Sequence, residues 1–456
     1  MRILLITHFF PPEHNAGTEN YTLGLAKEFQ SRGHDVKVIC SEGWTTGEDY
    51  WNGVRTEIYK GIPVYRIHLN WTKARNPNRV LYDSLSVERW LDAFLHRENP
   101  DIVHVTSTYS LGVGVLRSVR RAGIPLVLTL MDFWFLCPRT VLLRGDGDLC
   151  DGRTTAGECR DCLLASSNLY NRLNYFLPSQ FQATFWKAIS QTPALARIRG
   201  ARGLALNMEN RKALMKQILE VPDVILSHSR FVQHMFTQAN LSQRIVYLPN
   251  GHELSWTAIY RGKRKSSLMR IGYMGQISPI KGVHILVEAF EKAKLDGSAR
   301  LDIWGNLEKD RFYTRSLREI IGTTELISLR GQFKREQLAD VLAEIDILVV
   351  PSLWHENAPL VIYEAFATKT PVIATNLGGM SEAVTHELNG LLFDRGDVDS
   401  LSRQLRRIAS DPDLLEQLKD GIPGVKRIEE EVEELEELYA QINQARFQAI
   451  AESGIL

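Results

Sequence analysis

Glu356 and Glu364 open and close the run ENAPLVIYE, which follows the apolar segment DILVVPS. At the end of a buried strand, and on the helix after it, these carboxylates could reach a sugar hydroxyl and the two adjacent hydroxyls of a ribose. The first turn of that helix leaves backbone N–H groups unpaired at the positive end of its dipole, which suits a diphosphate. An isolated pair at this spacing is more often an ordinary loop and helix glutamate, and its position after a strand is what favours chemistry. Lys281, in YMGQISPIKGVHIL, follows a strand that ends at Gly275. Its compact ammonium could neutralise a departing phosphate, the alternative being a solvated loop lysine. In FFPPEHNAGTENY, Ala16 and Gly17 let backbone approach a ligand and Thr18 could cap a helix; a plain strand–helix turn explains them equally well.

The second cluster of reactive side chains is Cys137, Cys150, Cys159 and Cys162, four of the chain's five cysteines. A C-x2-C knuckle with two further thiols is what a tetrahedral structural zinc needs, and the intervening segment is rich in Gly, Asp and Arg. Zinc held by all four thiolates is the leading expectation; an iron–sulfur centre, disulfides and free thiols are the alternatives. A catalytic zinc is disfavoured, because protein would fill every position. Asp132 stands just ahead of this cluster, placed either to orient an acceptor or to cap the next turn.

Positioning such groups takes a scaffold. Over the first 130 or so residues, apolar strands (RILLITHFF, HDVKVICS, DIVHVTS, PLVLTLMDF) alternate with amphipathic helices, the pattern of a parallel sheet covered on both faces. The strand-like VPDVILSHS and IVYLPNGHE resume it after a helical, aromatic and basic stretch at about 165–220, which carries Lys187, Arg197, Arg199 and Arg202. The second half repeats strand and helix from RIGYMG to GLLFDR. The expected division is a first domain over 1–260, with a Cys-rich segment at 137–162, a second over 261–425, and a helical tail over 426–456. The charged RGKRKSS near Arg261 reads as the linker. Two doubly wound domains imply a cleft at their strand ends, where a ligand would bind.

The whole arrangement resembles the family 4 retaining glycosyltransferases of the GT-B architecture. The resemblance is most specific in ENAPLVIYE, followed by AFATKTPVIATNLGGMSE and NGLLF, with LPNG at Leu248–Gly251. It implies an α/β fold of two Rossmann-like domains, here with a helical and Cys-rich insertion in the first. It also implies transfer of a sugar from a nucleotide diphosphate sugar, of UDP or GDP type, to a glycan, lipid-linked or small-molecule acceptor. On this resemblance Glu356 meets the transferred sugar and Glu364 the ribose. The backbones of Asn357, Ala358, Leu360 and Val361, with Gly17, Gly275 and Lys281, serve the donor; Pro359 has no N–H to offer. Two departures stand out. Gln276 replaces an arginine that would pair with the diphosphate, and Met131 replaces a histidine beside the reacting sugar, leaving Asp132 of that pair. Methionine cannot move a proton, but retaining enzymes of this fold are thought to let the leaving phosphate take it. No cofactor is expected for the chemistry itself. Loss of activity, leaving a nucleotide-sugar-binding protein, is the alternative reading; an epimerase lacks its expected histidine and acidic groups.

Lysine plus arginine equals aspartate plus glutamate at 54 each, and no basic stripe surrounds the cysteines, so nucleic acid is not an expected partner. No run approaches the roughly 18 to 20 apolar residues that span a bilayer. A cytoplasmic enzyme is expected. Peripheral contact with the inner membrane face through the basic aromatic stretch is the alternative to simple helix packing.

Overall fold

The computed structural model describes residues 1–42, 46–165, 168–190, 207–241, 244–295 and 297–452. Arg197, Arg199 and Arg202 of the expected basic stretch lie outside them. The chain forms two compact units, one of Met1–Pro249 with Glu429–Leu456, the other Asn250–Ile428.

Among the described residues, the first unit contains an eight-stranded sheet in the order β3-β4-β2-β1-β5-β6-β7-β8. Its strands are β1 (Arg2–Ile6), β2 (Asp35–Glu42), β3 (Trp51–Tyr59), β4 (Ile62–Leu69), β5 (Ile102–Val105), β6 (Leu126–Leu130), β7 (Val224–Ser227) and β8 (Ile245–Tyr247). All neighbours run parallel except β3, which is antiparallel to β4 at the edge. The central strands β5 and β6 are buried at every position, as expected of a parallel sheet covered on both faces. The β3–β4 turn at Lys60 and Gly61 has positive φ at both residues, 51° and 83°. A two-residue hairpin needs that geometry, normally through Asn-Gly or Asp-Gly.

The second unit contains a six-stranded, wholly parallel sheet in the order β11-β10-β9-β12-β13-β14 among the described residues. Its strands are β9 (Met269–Met274), β10 (Ala299–Trp304), β11 (Ile327–Gly331), β12 (Ile347–Val350), β13 (Val372–Thr375) and β14 (Gly390–Phe393). Taken in sequence order this is the 3-2-1-4-5-6 arrangement of dinucleotide-binding sheets, whose winding reverses between β9 and β12.

The expected linker is not one. Lys263 is half-buried and its ammonium donates to the carbonyls of Leu342 and Ile345 and to Thr370. Arg264 pairs with Asp340 and Glu344. The segment is therefore fixed within the second unit, and the division falls earlier, after Pro249. There Gly251 is required: a Cβ on it would stand 2.4 Å from the carbonyl oxygen of Arg427.

The long helix Ile428–Glu452 lies with the first unit. Tyr21 donates its hydroxyl to Glu431 at 2.6 Å, Arg446 forks onto Asp223, and Arg32 and His34 both meet Glu436. Fully buried His104 on β5 has the Tyr439 hydroxyl on one ring nitrogen at 2.6 Å and Thr129 on the other at 2.7 Å. Among the described residues no helix is long and apolar enough to cross a membrane.

Candidate functional site

In the second unit the reversal point between β9 and β12 gathers the predicted groups. β9 ends into the exposed Gly275 and Gln276, and the buried Tyr273 hydroxyl donates to the Gln276 carbonyl at 2.8 Å. The loop then turns through Pro279–Lys281 and enters helix Val283–Ala293 at Gly282. Gly282 has φ +68°, and a Cβ there would meet the Pro351 carbonyl oxygen at 2.0 Å. Glycine thus lets the lysine-bearing loop lie against the exit of β12.

That exit carries Ser352, Trp354 and Glu356. Oε1 of Glu356 accepts from Lys281 Nζ at 2.6 Å, from Ser352 Oγ at 2.8 Å and from the Trp354 indole at 3.0 Å. The ammonium also lies 5.1 Å from the centre of the Trp354 ring. Glu356 is only 8% exposed, so its charge is held by named donors rather than by water. Ser352 and Trp354 went unread in the sequence, where a lone hydroxyl and indole near a glutamate carry no spacing signal.

Asn357 and Ala358 follow, half-buried, before helix Leu360–Phe366 opens at Pro359. Leu360 and Val361 form its first turn. The pair Gly378–Gly379 presses on this loop: Gly379 donates its N–H to the Glu356 carbonyl at 2.9 Å, and a Cβ on Gly379 would overlap the Asn357 carbonyl oxygen at 1.5 Å. One turn into the helix, Glu364 is paired with Arg335, which no local spacing marks out. His355 is kept neutral, pushed down to about 4 by burial and then by nearby Arg395.

In the first unit, Gly17 begins helix Gly17–Ser31, with Ala16 at the cap position and no side-chain cap. Thr18 lies inside the helix and so does not cap it. The preceding FFPPE loop is clamped by fully buried Arg66 of β4, which donates to the carbonyls of Phe10 and Pro11 and pairs with Glu13 and Glu57. His8, at the exit of β1, lies 3.5 Å from Glu19; burial pushes its pKa down to about 4, and its Nδ1 is buried with no hydrogen-bond partner among the described residues.

Asp132, after β6, accepts the Trp134 N–H at 2.7 Å, so it does close the next turn. Burial pushes its carboxyl up to about 6, opposed by that N–H and by Arg211, while Glu19 pushes the same way as burial. Arg211 is itself fully buried, held by the Trp134 carbonyl and lying 4.6 Å over the Trp134 ring.

The four thiols expected to converge on a metal do not do so. All four are free, and among the described residues no group of three or more His, Cys, Asp or Glu side chains is placed to hold an ion. Other contacts hold the segment. Cys159 meets the Thr154 hydroxyl at 3.0 Å, and Gly152 donates to the Cys150 sulfur at 3.4 Å. Thr155 and Glu158 form a capping box, and Leu143 bridges to Leu149. Lys212 donates to the Thr154 carbonyl, and Leu142 and Leu143 are buried. The segment is thus anchored on the first unit's main core, through Leu136, Cys137 and Leu142 with Cys150 packed against it, which its Gly- and Asp-rich composition concealed.

Residues 261–423 match the family described as glycosyl transferases group 1, and residues 16–160 match the glycosyl transferase 4-like domain. The MMP alpha-(1->4)-mannosyltransferase of Mycolicibacterium hassiacum is 25% identical over 444 residues, 92% of each chain. A D-inositol 3-phosphate glycosyltransferase of Streptomyces bingchenggensis is 31% identical over 161 residues, 33% of this chain and 34% of its own. Of the first two curated relatives the chain spans 55% and 34% of the length. Among solved structures, HepE of Anabaena in complex with UDP-glucose superposes with a TM-score of 0.57 at 18% identity, over 99% of this chain and all of that one. Both stretches thus match glycosyltransferase family models, and the chain has the two-sheet α/β fold of the GT-B glycosyltransferases.

Proposed function

We propose that the protein is a retaining glycosyltransferase, taking a sugar from a nucleotide diphosphate sugar of UDP or GDP type to a glycan, lipid-linked or small-molecule acceptor. The observation that carries this reading is the Lys281–Glu356 pair at the reversal point of the second sheet, inside the stretch that matches group 1 glycosyl transferases. Lys281 would meet the departing diphosphate, and the first-turn N–H groups of Leu360 and Val361 would add donors where charge develops. Glu356, already accepting three hydrogen bonds, is rigid enough to orient a sugar hydroxyl. Glu364 would take the ribose hydroxyls, and Gln276 would donate where an arginine is more usual. HepE of Anabaena was solved with UDP-glucose, which supports a nucleotide sugar as donor. With Met131 unable to carry a proton, the acceptor proton would pass to the leaving phosphate oxygen on the same face of the sugar. The C–O bond to that phosphate breaks as the bond to the acceptor forms.

A thermal-shift screen of UDP-, GDP- and ADP-sugars would identify the donor, because a ligand that binds the native state raises the melting temperature. Product analysis by NMR would then read the anomeric configuration. Inversion would refute the retaining assignment. Binding without transfer or donor hydrolysis across a broad acceptor panel would leave the nucleotide-sugar-binding reading, which Met131 and Gln276 favour.

A further inference from the structure

Strand β3 is an edge of the first unit's sheet, and among the described residues β4 is its one strand neighbour. Its register with β4 decides which backbone groups are left over. Ile58 lies opposite Pro63, and proline has no N–H to exchange, so the two form a pair without hydrogen bonds. By the alternation of an antiparallel ladder, Arg55, Glu57 and Tyr59 bond to Arg66, Val64 and Ile62, while Val54, Thr56 and Ile58 turn their N–H and C=O groups away from the sheet. Among the described residues no backbone hydrogen bond from outside the ladder reaches these three. Such an edge is normally blunted by proline, by a bulge or by cover. The stretch Val54–Ile58 contains no proline. Its bulge lies at one end, between Trp51 and Val54, where Gly53 has φ 90°, and Ile58 is 77% exposed.

We propose that β3 pairs antiparallel with β3 of a second copy of this chain, about a twofold axis at Thr56, so that the two sheets become one. The occupant is a second copy because the strand is complementary to itself in this register. Thr56 faces the partner's Thr56 and Val54 faces the partner's Ile58 in hydrogen-bonded pairs, which gives the exposed isoleucine an apolar neighbour. On the opposite face of the sheet Arg55 stands across from the partner's Glu57, unlike charges at adjacent positions. Other registers fail. An axis at Val54 sets Ile58 against the partner's Tyr50, across the bulge, and an axis at Ile58 sets Val54 against the partner's Ile62, beyond the turn at Lys60 and Gly61. The same strand serves on both sides, so the contact closes at two copies and does not propagate. The pairing is independent of the transfer reaction, and an active enzyme that stays monomeric would sink this inference alone.

The test is sedimentation velocity of the full chain from about 1 to 100 μM, where a concentration-dependent dimer is expected. Thr56→Pro removes one outward N–H and leaves the ladder to β4 intact, so it should raise the dimer Kd about tenfold or more. Ile58→Lys, which sets a charge on the edge, should act in the same direction. Unchanged melting temperatures would confirm that both variants fold. The register is read by cross-linking with copper phenanthroline, the wild-type chain serving as blank. Thr56→Cys places two thiols at the axis, where opposed Cα atoms are about 5.5 Å apart and within disulfide reach, and should link the copies. Ile58→Cys should not, because those two positions lie about 14 Å apart. A monomeric wild type, a dimer that tolerates Thr56→Pro and Ile58→Lys, or linking by Ile58→Cys as readily as by Thr56→Cys would overturn the proposal.

Discussion

The ammonium of Lys281 and the carboxylate of Glu356 meet at 2.6 Å, joining the loop after β9 to the loop after β12 across 75 positions of sequence. Removing the lysine leaves Glu356 with two neutral donors and removes the cation proposed for the diphosphate. Lys281→Ala should lower kcat by about a hundredfold to a thousandfold. Ser352→Ala, which deletes one neutral hydrogen bond, should cost about tenfold. Steady-state kinetics with the donor found by thermal shift would check both.

Glu364 is engaged by Arg335, so a ribose must share or displace that pairing. Glu364→Ala should weaken binding of the nucleoside diphosphate by about tenfold or more, the scale of a hydrogen bond to a charged group. Calorimetric titration with the diphosphate alone, free of any acceptor, measures this directly.

The strands were legible because fully buried parallel strands read as continuous apolar runs, as in DILVVPS and PLVLTL; their order in the sheet, and so the reversal point, was not. Glu356 and Lys281 were legible from their places after such strands. The β3–β4 hairpin was not, since Lys60 replaces the usual Asn or Asp and the edge strand is half exposed. His8, Glu19 and Arg335 were missed for another reason: their importance comes from contacts closed by folding, which no local spacing announces. For the cysteines, spacing permits a metal knuckle, while among the described residues the segment shows a capping box and buried leucines, and no three such side chains are placed to hold an ion.

Asp132 ties stability to pH. Its carboxyl is raised from 3.8 to about 6, so the native state binds more protons than the unfolded state between those values. Stability therefore falls as pH rises through that window and levels off above it. Asp132→Asn keeps an acceptor for the Trp134 N–H and removes the charge. The variant should match the wild type below pH about 4 and exceed it by on the order of 1–2 kcal/mol above pH about 6, the full shift being discounted for partial exposure. Denaturant titrations at the two pH extremes would show this, and an equal difference at both would refute it.

Gly379 has the Asn357 carbonyl where a side chain would begin. Because the obstruction is backbone, Gly379→Ala should cost about 3 kcal/mol or more. It should also displace the loop that bears Glu356, lowering both the melting temperature and the activity.

Tyr439→Phe removes the hydroxyl from one nitrogen of buried His104, whose pKa burial already pushes down to about 3. The variant should lose about 1–3 kcal/mol, measurable by urea denaturation.

That tyrosine lies 335 positions after its histidine, and Glu431 lies 410 after Tyr21. Everything from Asn250 to Ile428 is therefore an interruption in the first unit's path. During synthesis the contacts of Tyr21 and His104 with that last helix wait until the ribosome has made the entire second unit. The second unit, contiguous in sequence, can close its sheet earlier. The half begun first is finished last.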